Sequence, residues 1–327
     1  MNRSWMRAGS LSAALGLFLY GAVACSDDDS ATPAPAADGG GGGGGGGSDS
    51  GTSGSVDAAV KEDAATADAG SVSVSLKFKA KVGDKDFKCG TTYANQGTKN
   101  DTIEPRDLRF FVQDVKLIDG AGNEVPVTLD ARAPWQTPDV ALLDFEDATG
   151  KCTNGNAELN DTVTGTVPAG TYKGIVFTNG VPASLNHLDP ASEAPPLSAG
   201  GMTWGWLLGH LFIKAEVAST TSDGGIGLLH LGSVGCTNDA GAGGDDFNKG
   251  PTAPCSQPNR NLVKLTGFDA SKNVIVLDVK TLFASTDLSA PSMCHSAGDA
   301  CPPLFSSVGL KFEDGARMAT APAFRVE

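Results

Sequence analysis

The sequence predicts an all-β fold, an antiparallel β-sandwich or partly closed barrel stapled by disulfides. Three observations carry this. An apolar run of period two opens the folded part, many short β-rich runs follow between Gly, Pro and Asn turn signals, and six of the seven cysteines lie in that part, which shows no amphipathic helix longer than about three turns.

The first 25 residues read as a sorting signal. Arg3 and Arg7 form the basic region, Leu11 to Tyr20 the apolar region, and Gly21-Ala22-Val23-Ala24-Cys25 closes it with small residues and a cysteine. The apolar run is shorter than the about 20 residues a membrane span needs. The segment resembles a bacterial lipoprotein signal, in which cleavage leaves a lipidated Cys25 as the new N-terminus. An ordinary secretory signal is the alternative, and either exports the chain.

Residues 26–70 read as a disordered tether. They hold nine consecutive glycines, Gly39 to Gly47, no aromatic residue, and nine acidic residues against Lys61 alone. No apolar surface is available there to offset the entropy of ordering. With 24 Lys plus Arg against 38 Asp plus Glu, the whole chain carries a net charge of −14, which argues against nucleic-acid binding. Much of that acidity solvates the tether.

From Ser71 to 327 a single folded domain is expected. Val72, Val74, Leu76, Phe78, Ala80 and Val82 alternate with Ser73, Ser75, Lys77, Lys79 and Lys81, giving a strand with one apolar face. Further strands are predicted at 108–118, 125–129, 163–167, 172–177, 204–217, 226–231, 260–268, 273–279 and 308–312. Asp119-Gly120, Pro168-Ala169-Gly170 and Asn179-Gly180 are among the turns between them. No internal repeat of solenoid period occurs.

Setting Cys25 aside, Cys89, Cys152, Cys236, Cys255, Cys294 and Cys301 remain. An even count in an exported chain favours three disulfides, although six cysteines allow many pairings. Short loops favour Cys236 with Cys255 and Cys294 with Cys301, leaving Cys89 with Cys152. A cysteine metal site is the alternative, and the spacings offer no C-x-x-C pair for it.

Signatures of common catalysts are missing: no G-x-S-x-G, P-loop, H-E-x-x-H or C-x-x-C-H occurs. Gly241 and Gly243-Gly244 lack the strand-to-helix context of a dinucleotide site, and Asp239, Asp245 and Asp246 lack EF-hand spacing, so they read as a solvated loop. Attention falls on four histidines (His187, His210, His230, His295) and on Trp204 and Trp206. A strand over Met202 to Val217 would set Met202, Trp204, Trp206 and His210 in one row. That row is either a sheet core or a soft-metal environment.

Five blocks then occur in order: Asp107-Leu108-Arg109-Phe110-Phe111-Val112, Ala141-Leu142-Leu143-Asp144-Phe145-Glu146, Gly180-Val181-Pro182-Ala183-Ser184-Leu185-Asn186-His187, Met202-Thr203-Trp204-Gly205-Trp206, and His230-Leu231-Gly232-Ser233-Val234-Gly235-Cys236. Together they resemble the MbnP family of exported copper-binding proteins, also described by a four-cysteine motif. The resemblance covers nearly all of 71–327.

The resemblance implies a β-rich periplasmic or surface protein that binds copper beside MbnH, a di-haem enzyme of the cytochrome c peroxidase type. That partner uses peroxide to oxidise a tryptophan of W-x-W to kynurenine, here Trp204 or Trp206. The copper ligands it implies are His187 and His230. The chain departs at His210, where relatives commonly carry an aromatic residue; His210 is an added ligand or a replacement. Met202 is a weaker thioether candidate.

Imidazole donors with few carboxylates favour Cu(I). The chain has no haem site, so the oxidant must be supplied from outside, and the chain is a substrate of that partner and not itself an enzyme. Each histidine also has a structural alternative: a surface loop for His187, a buried side chain bonded to backbone for His230, and the surface of a disulfide loop for His295. The competing function is a cell-surface binding or adhesion module, whose aromatic row and disulfides only build the sandwich. A hydrolase of unfamiliar type is the third.

Overall fold

The computed structural model describes residues 70–238 and 244–327. The signal with Cys25, the tether up to residue 69, and Asp239, Gly241 and Gly243 lie outside the described residues. Fifteen strands are present among the described residues. They are β1 (Ser71–Val82), β2 (Lys85–Asp86), β3 (Tyr93–Gln96), β4 (Asp101–Asp119), β5 (Glu124–Pro126), β6 (Thr128–Leu129), β7 (Ala141–Asp144), β8 (Thr162–Pro168), β9 (Tyr172–Asn179), β10 (Ile213–Ser219), β11 (Ile226–Leu231), β12 (Leu262–Thr266), β13 (Ile275–Asp278), β14 (Pro291–Cys294) and β15 (Phe324–Val326). Two short α-helices, α1 (Val279–Leu282) and α2 (Cys301–Ser307), and one 3-10 turn at Pro190–Ser192 complete the set among the described residues. No described helix is long and apolar enough to cross a membrane.

The strands form two sheets. One runs β15-β13-β1-β8-β6 with β2 beside β1; the other runs β12-β9-β4-β10-β11-β14, with β3, β5 and β7 also on β4. The architecture is the expected sandwich, antiparallel except where β1 meets β13 and β11 meets β14. Those two pairs join segments far apart in sequence, which leaves room for the crossovers that parallel strands require.

From Leu76 on, the alternation in β1 works as read: Leu76, Phe78, Ala80 and Val82 are buried while Lys77 and Lys79 face water; Val72, at the strand's start, is exposed, and Lys81 is buried and paired with Glu327. Phe78 meets Phe110 of β4 and Phe177 of β9 edge-on, with centroids 6.1 and 5.6 Å apart. These rings join the two inner faces. At β4 the expected strand is longer at both ends, and residues 107–113 are buried on both faces. Phe110 points to the other sheet, whereas Phe111 points outward under the loops that roof this sheet. Asp114, at φ 48°, marks the bulge where pairing with β9 shifts register.

Two expectations fail. No strand forms over 308–312, where Leu310 makes one isolated bridge to Arg317. The strand expected from 204 begins instead at Ile213. The cysteines join as Cys236–Cys255 and Cys294–Cys301, the two pairs that short loops favour, and as Cys89–Cys152, the pair left over.

Candidate metal centre

Directly paired residues on neighbouring strands face the same side of a sheet. Asp144, Arg109, Lys214 and His230 are successive cross-strand partners, so they form one row on the outer face across β7, β4, β10 and β11. The pairing of Leu229 with Cys294 continues the row to His295, beside His230. Arg109 and Lys214, 2% and 5% exposed, lie deep in it.

Buried charges need partners, and these have them. Arg109 donates to both oxygens of Asp107, Nε to Oδ1 at 2.8 Å and Nη2 to Oδ2 at 2.6 Å. Lys214 Nζ lies 3.0 Å from Asp107 Oδ2 and 3.6 Å from Glu216 Oε1. His230 Nε2 stands 2.8 Å from the same Glu216 oxygen. A carboxylate only accepts, so Nε2 carries the proton and Nδ1 keeps the lone pair. Burial pushes Glu216 up, but the His230 hydrogen bond and the Lys214, His230 and Arg106 charges outweigh it and hold the carboxyl low. His295 is held below the usual imidazole value by burial and by His230, against the pull of Glu216. At the other end of the row, burial raises Asp144 to about 7.

The loop carrying Trp204 and Trp206 roofs this face. Arg109 Nη1 donates to the Gly200 carbonyl at 2.8 Å, which ties the loop down. Residues 203–210 then fold back on themselves, closed by the Thr203–His210 bridge, by Trp204 N–H to Gly209 O at 2.9 Å and by Gly209 N–H to Gly205 O at 2.8 Å. Gly205 at φ 104° and Gly209 at φ 76° hold backbone conformations that L side chains rarely adopt, and they break the alternation. The single row of Met202, Trp204, Trp206 and His210 therefore does not exist. Met202 is wholly buried in the core, Trp204 packs on Gly232, and Trp206 meets Gly250.

His210 turns inward, with no exposed surface, its ring edge-on to Phe111 at 5.8 Å. Its N–H donates to Asn186 Oδ1 and its Nδ1 to the Asn186 carbonyl, each at 3.2 Å. That leaves Nε2 as the acceptor, 3.2 Å from Glu193 Oε1, and neither of these two buried atoms has a hydrogen-bond partner. Two facing lone pairs need a positive particle between them; a shared proton or a metal ion meets that need. Burial, reinforced by Asp189, lifts Glu193 to about 7, and burial depresses His210.

His187 is half-buried on the other side of Asn186. Its Nδ1 donates to the Trp206 carbonyl at 3.2 Å and its Nε2 receives the Asn186 side-chain amide at 2.8 Å. Nε2 therefore carries the lone pair, the arrangement by which a backbone carbonyl orients a metal-binding imidazole. It lies 3.3 Å from Cys255 Sγ. Burial and the Arg260 and His210 charges keep this ring below the usual imidazole value, hence neutral and able to ligate. A cleft of about 530 Å³, lined in part by His187, Ser233, Gly250, Cys255 and Arg260, opens onto it.

The structure thus joins His187, His210 and W-x-W in one loop cluster and places His230 in another, with His295. The expected poverty of carboxylates does not hold: Glu193 faces His210 and Glu216 faces His230. Among the described residues, His187 groups with Cys236 and Cys255, and Glu146 with Cys89 and Cys152, as donor sets; disulfide formation removes the thiols from both. Asp245 accepts from Asn238 N–H at 2.7 Å and Asp246 pairs with Lys249, while Asp239 lies outside the described residues. Asn186, Glu193 and Glu216 were not foreseen. Only Asn186, adjacent to His187, carried a sequence signal.

The MbnP family model matches residues 71–296. The structure is similar to that of MbnP from Methylosinus trichosporium, with a TM-score of 0.66 and 31% identity over 79% of this chain and 98% of that one. No curated protein matches the sequence. The match takes in all four histidines discussed above and every strand but β15, and on it the chain belongs to the MbnP family.

Proposed function

We propose that this chain is an exported, lipid-anchored copper-binding protein, matured by oxidation of Trp204 or Trp206 to kynurenine by a di-haem partner of the MbnH type. The hydrogen bond between His187 Nδ1 and the Trp206 carbonyl carries the reading, because it sets an unprotonated imidazole nitrogen inside the W-x-W loop. Both indoles are partly exposed, within reach of an external oxidant. Two peroxides convert a tryptophan to N-formylkynurenine and two waters, and hydrolysis then releases formate. The ketone and arylamine so formed add donors beside His187, with His210 and Glu193 beneath. Imidazole nitrogens suit copper, and with Glu193 among the donors the set carries no preference for Cu(I) over Cu(II). The protein is the partner's substrate and not a catalyst. Residues 26–70 serve as a tether from a lipidated Cys25, holding the domain of 71–327 clear of a membrane, in the periplasm or at the cell surface.

Peptide mass mapping with metal analysis, on protein from the native host, tests this. The expected result is a peptide spanning Trp204 and Trp206 that has gained one oxygen and lost one carbon, with copper that is absent from His187→Ala. An unmodified peptide without copper, from cells that contain the partner and the metal, overturns the reading in favour of a surface binding module.

A further inference from the structure

We propose a binding site for a primary alkylammonium ion in a cavity at β7, lined by Trp135 and by the buried carboxyl of Asp144. It goes beyond the copper function and shares none of the histidines, Glu193 or W-x-W residues that carry that reading.

The charge balance points to a cation. Arg109 has the carboxyls of Asp107, Asp144 and Glu146 around it, all of them buried. It is committed to Asp107 through paired hydrogen bonds, and Lys214 is shared between Asp107 and Glu216. That leaves Asp144 and Glu146 without a contacting cation among the described residues. Asp144 Oδ1 accepts the Glu146 N–H at 2.9 Å, and Glu146 Oε1 accepts the Ala148 N–H at 3.0 Å. Glu146 Oε2, on a side chain with no exposed surface, has no hydrogen-bond partner. It lies directly behind Gly155 of the cavity wall, where an added Cβ would collide with it. Buried carboxyls without partners are costly, and a bound cation offsets that cost.

The cavity selects the kind of cation. It encloses about 270 Å³, below the about 300–1,000 Å³ of sites for drug-sized ligands, so its occupant is small. Pro134, Trp135, Leu142, Pro195 and Pro196 line it beside Asp144. Such walls do not replace the oxygen shell that calcium and magnesium require. An ammonium head on a short alkyl chain suits both parts: the head meets Asp144, and the methylenes lie against the indole and the proline rings. Arg109 also lines the cavity, but its Nε and Nη2 face Asp107 and its Nη1 donates to the Gly200 carbonyl, so its charge is already answered.

The walls are fixed before a ligand arrives. Trp135 N–H donates to the Arg132 carbonyl at 2.9 Å, and the Trp135 carbonyl accepts Leu142 N–H of β7 at 2.8 Å. The bond from Arg109 to Gly200 pins the segment that follows Pro195 and Pro196. A preformed site spares the ligand the cost of ordering it.

The test titrates the mature chain with n-butylamine at about pH 8, above the value of about 7 that burial gives Asp144, and follows the Trp135 indole N–H by NMR. Saturable shifts are expected with butylamine and not with 1-butanol, its uncharged counterpart. Asp144→Asn keeps an acceptor for the Glu146 N–H while removing the charge, and it lowers butylamine affinity at least about tenfold. Trp135→Leu, read by calorimetry, lowers it by a smaller factor. Nα-acetyl-lysine amide and 1,4-diaminobutane separate the sources of the ligand: stronger binding of the first supports the site as a receptor for a lysine side chain, stronger binding of the second as one for a free amine. A Trp135 signal unmoved by millimolar butylamine overturns the proposal, as do equal shifts with butanol or affinity that survives Asp144→Asn.

Discussion

Trp204 rests on Gly232, so closely that a Cβ at position 232 would come within 2.5 Å of the indole Cζ3 and 2.9 Å of the His210 carbonyl. The glycine is required here for space, because ring and backbone occupy the volume a side chain would take. Gly232→Ala therefore displaces Trp204 and loosens the W-x-W loop, at a cost of about 1–3 kcal/mol for overpacking. Urea unfolding measures the loss, and a red-shifted tryptophan emission reports the displaced ring. Unchanged stability and emission would show that the loop does not depend on this contact.

Asn186 holds the loop from the other side. Its Oδ1 accepts the His210 N–H and its side-chain amide meets His187 Nε2, and the residue has no exposed surface. Asn186→Ala strands the buried His210 N–H, which costs about 1–3 kcal/mol. Asn186→Asp keeps the acceptor for His210 but loses the donor toward His187, so it restores stability while raising the His187 pKa. An NMR titration of the ring separates the two effects.

The buried Glu193–His210 pair sets a pH dependence. Burial and Asp189 raise Glu193 to about 7 from an ordinary value of 4.5, so the folded state holds a proton that the unfolded state releases. Between these values the folded state binds more protons, and stability falls as pH rises through about 7. Glu193→Gln lacks this penalty, so its Tm relative to the parent chain rises from pH 4.5 to about 7 and is level above. His210, depressed by burial, acts in the opposite sense in both proteins and largely cancels in the comparison. A difference in Tm that is flat with pH would place Glu193 in water.

The sandwich was legible in the sequence and the sites were only half so, for a physical reason. Period-two alternation at 71–82 and turn signals between short runs are local, and local patterns fix strands. Met202 to Val217 misled because Trp204, Trp206 and Leu208 alternate as a strand would, while Gly205 and Gly209 take positive φ and fold the chain back. Glu193 under His210 and His295 beside His230 are pairings of distant segments. No spacing in the sequence encodes them; only the register of β11 with β14 and the path of the 180–212 loop bring them together.

Disulfide removal should rank by loop length. Cys89–Cys152 closes a sequence separation of 63 and Cys294–Cys301 one of 7. On the chain-entropy account these contribute about 4 and about 2.5 kcal/mol respectively. Paired Cys→Ala variants should therefore separate in urea midpoint, the 89/152 variant being the less stable. The reverse order would mean that native packing around β14 and α2, and not the unfolded chain, dominates.

Lys214 is the hinge of the polar row. It is 5% exposed and lies between Asp107 and Glu216, while Arg109 is already committed to Asp107 through two hydrogen bonds. Lys214→Met leaves Glu216 with His230 and the partly exposed Arg106, 3.7 Å away, as its cationic partners. Breaking a buried pair by removing one member costs about 3–5 kcal/mol. Urea unfolding measures the loss. Lys214→Arg keeps the charge in place and should recover most of it even if packing suffers. Combining Lys214→Met with Glu216→Gln tests the coupling: additive losses would make the row a set of independent pairs, whereas a combined loss smaller than the sum means that Lys214 and Glu216 act as one unit that links His230 to Asp107 and Arg109 beneath the W-x-W loop.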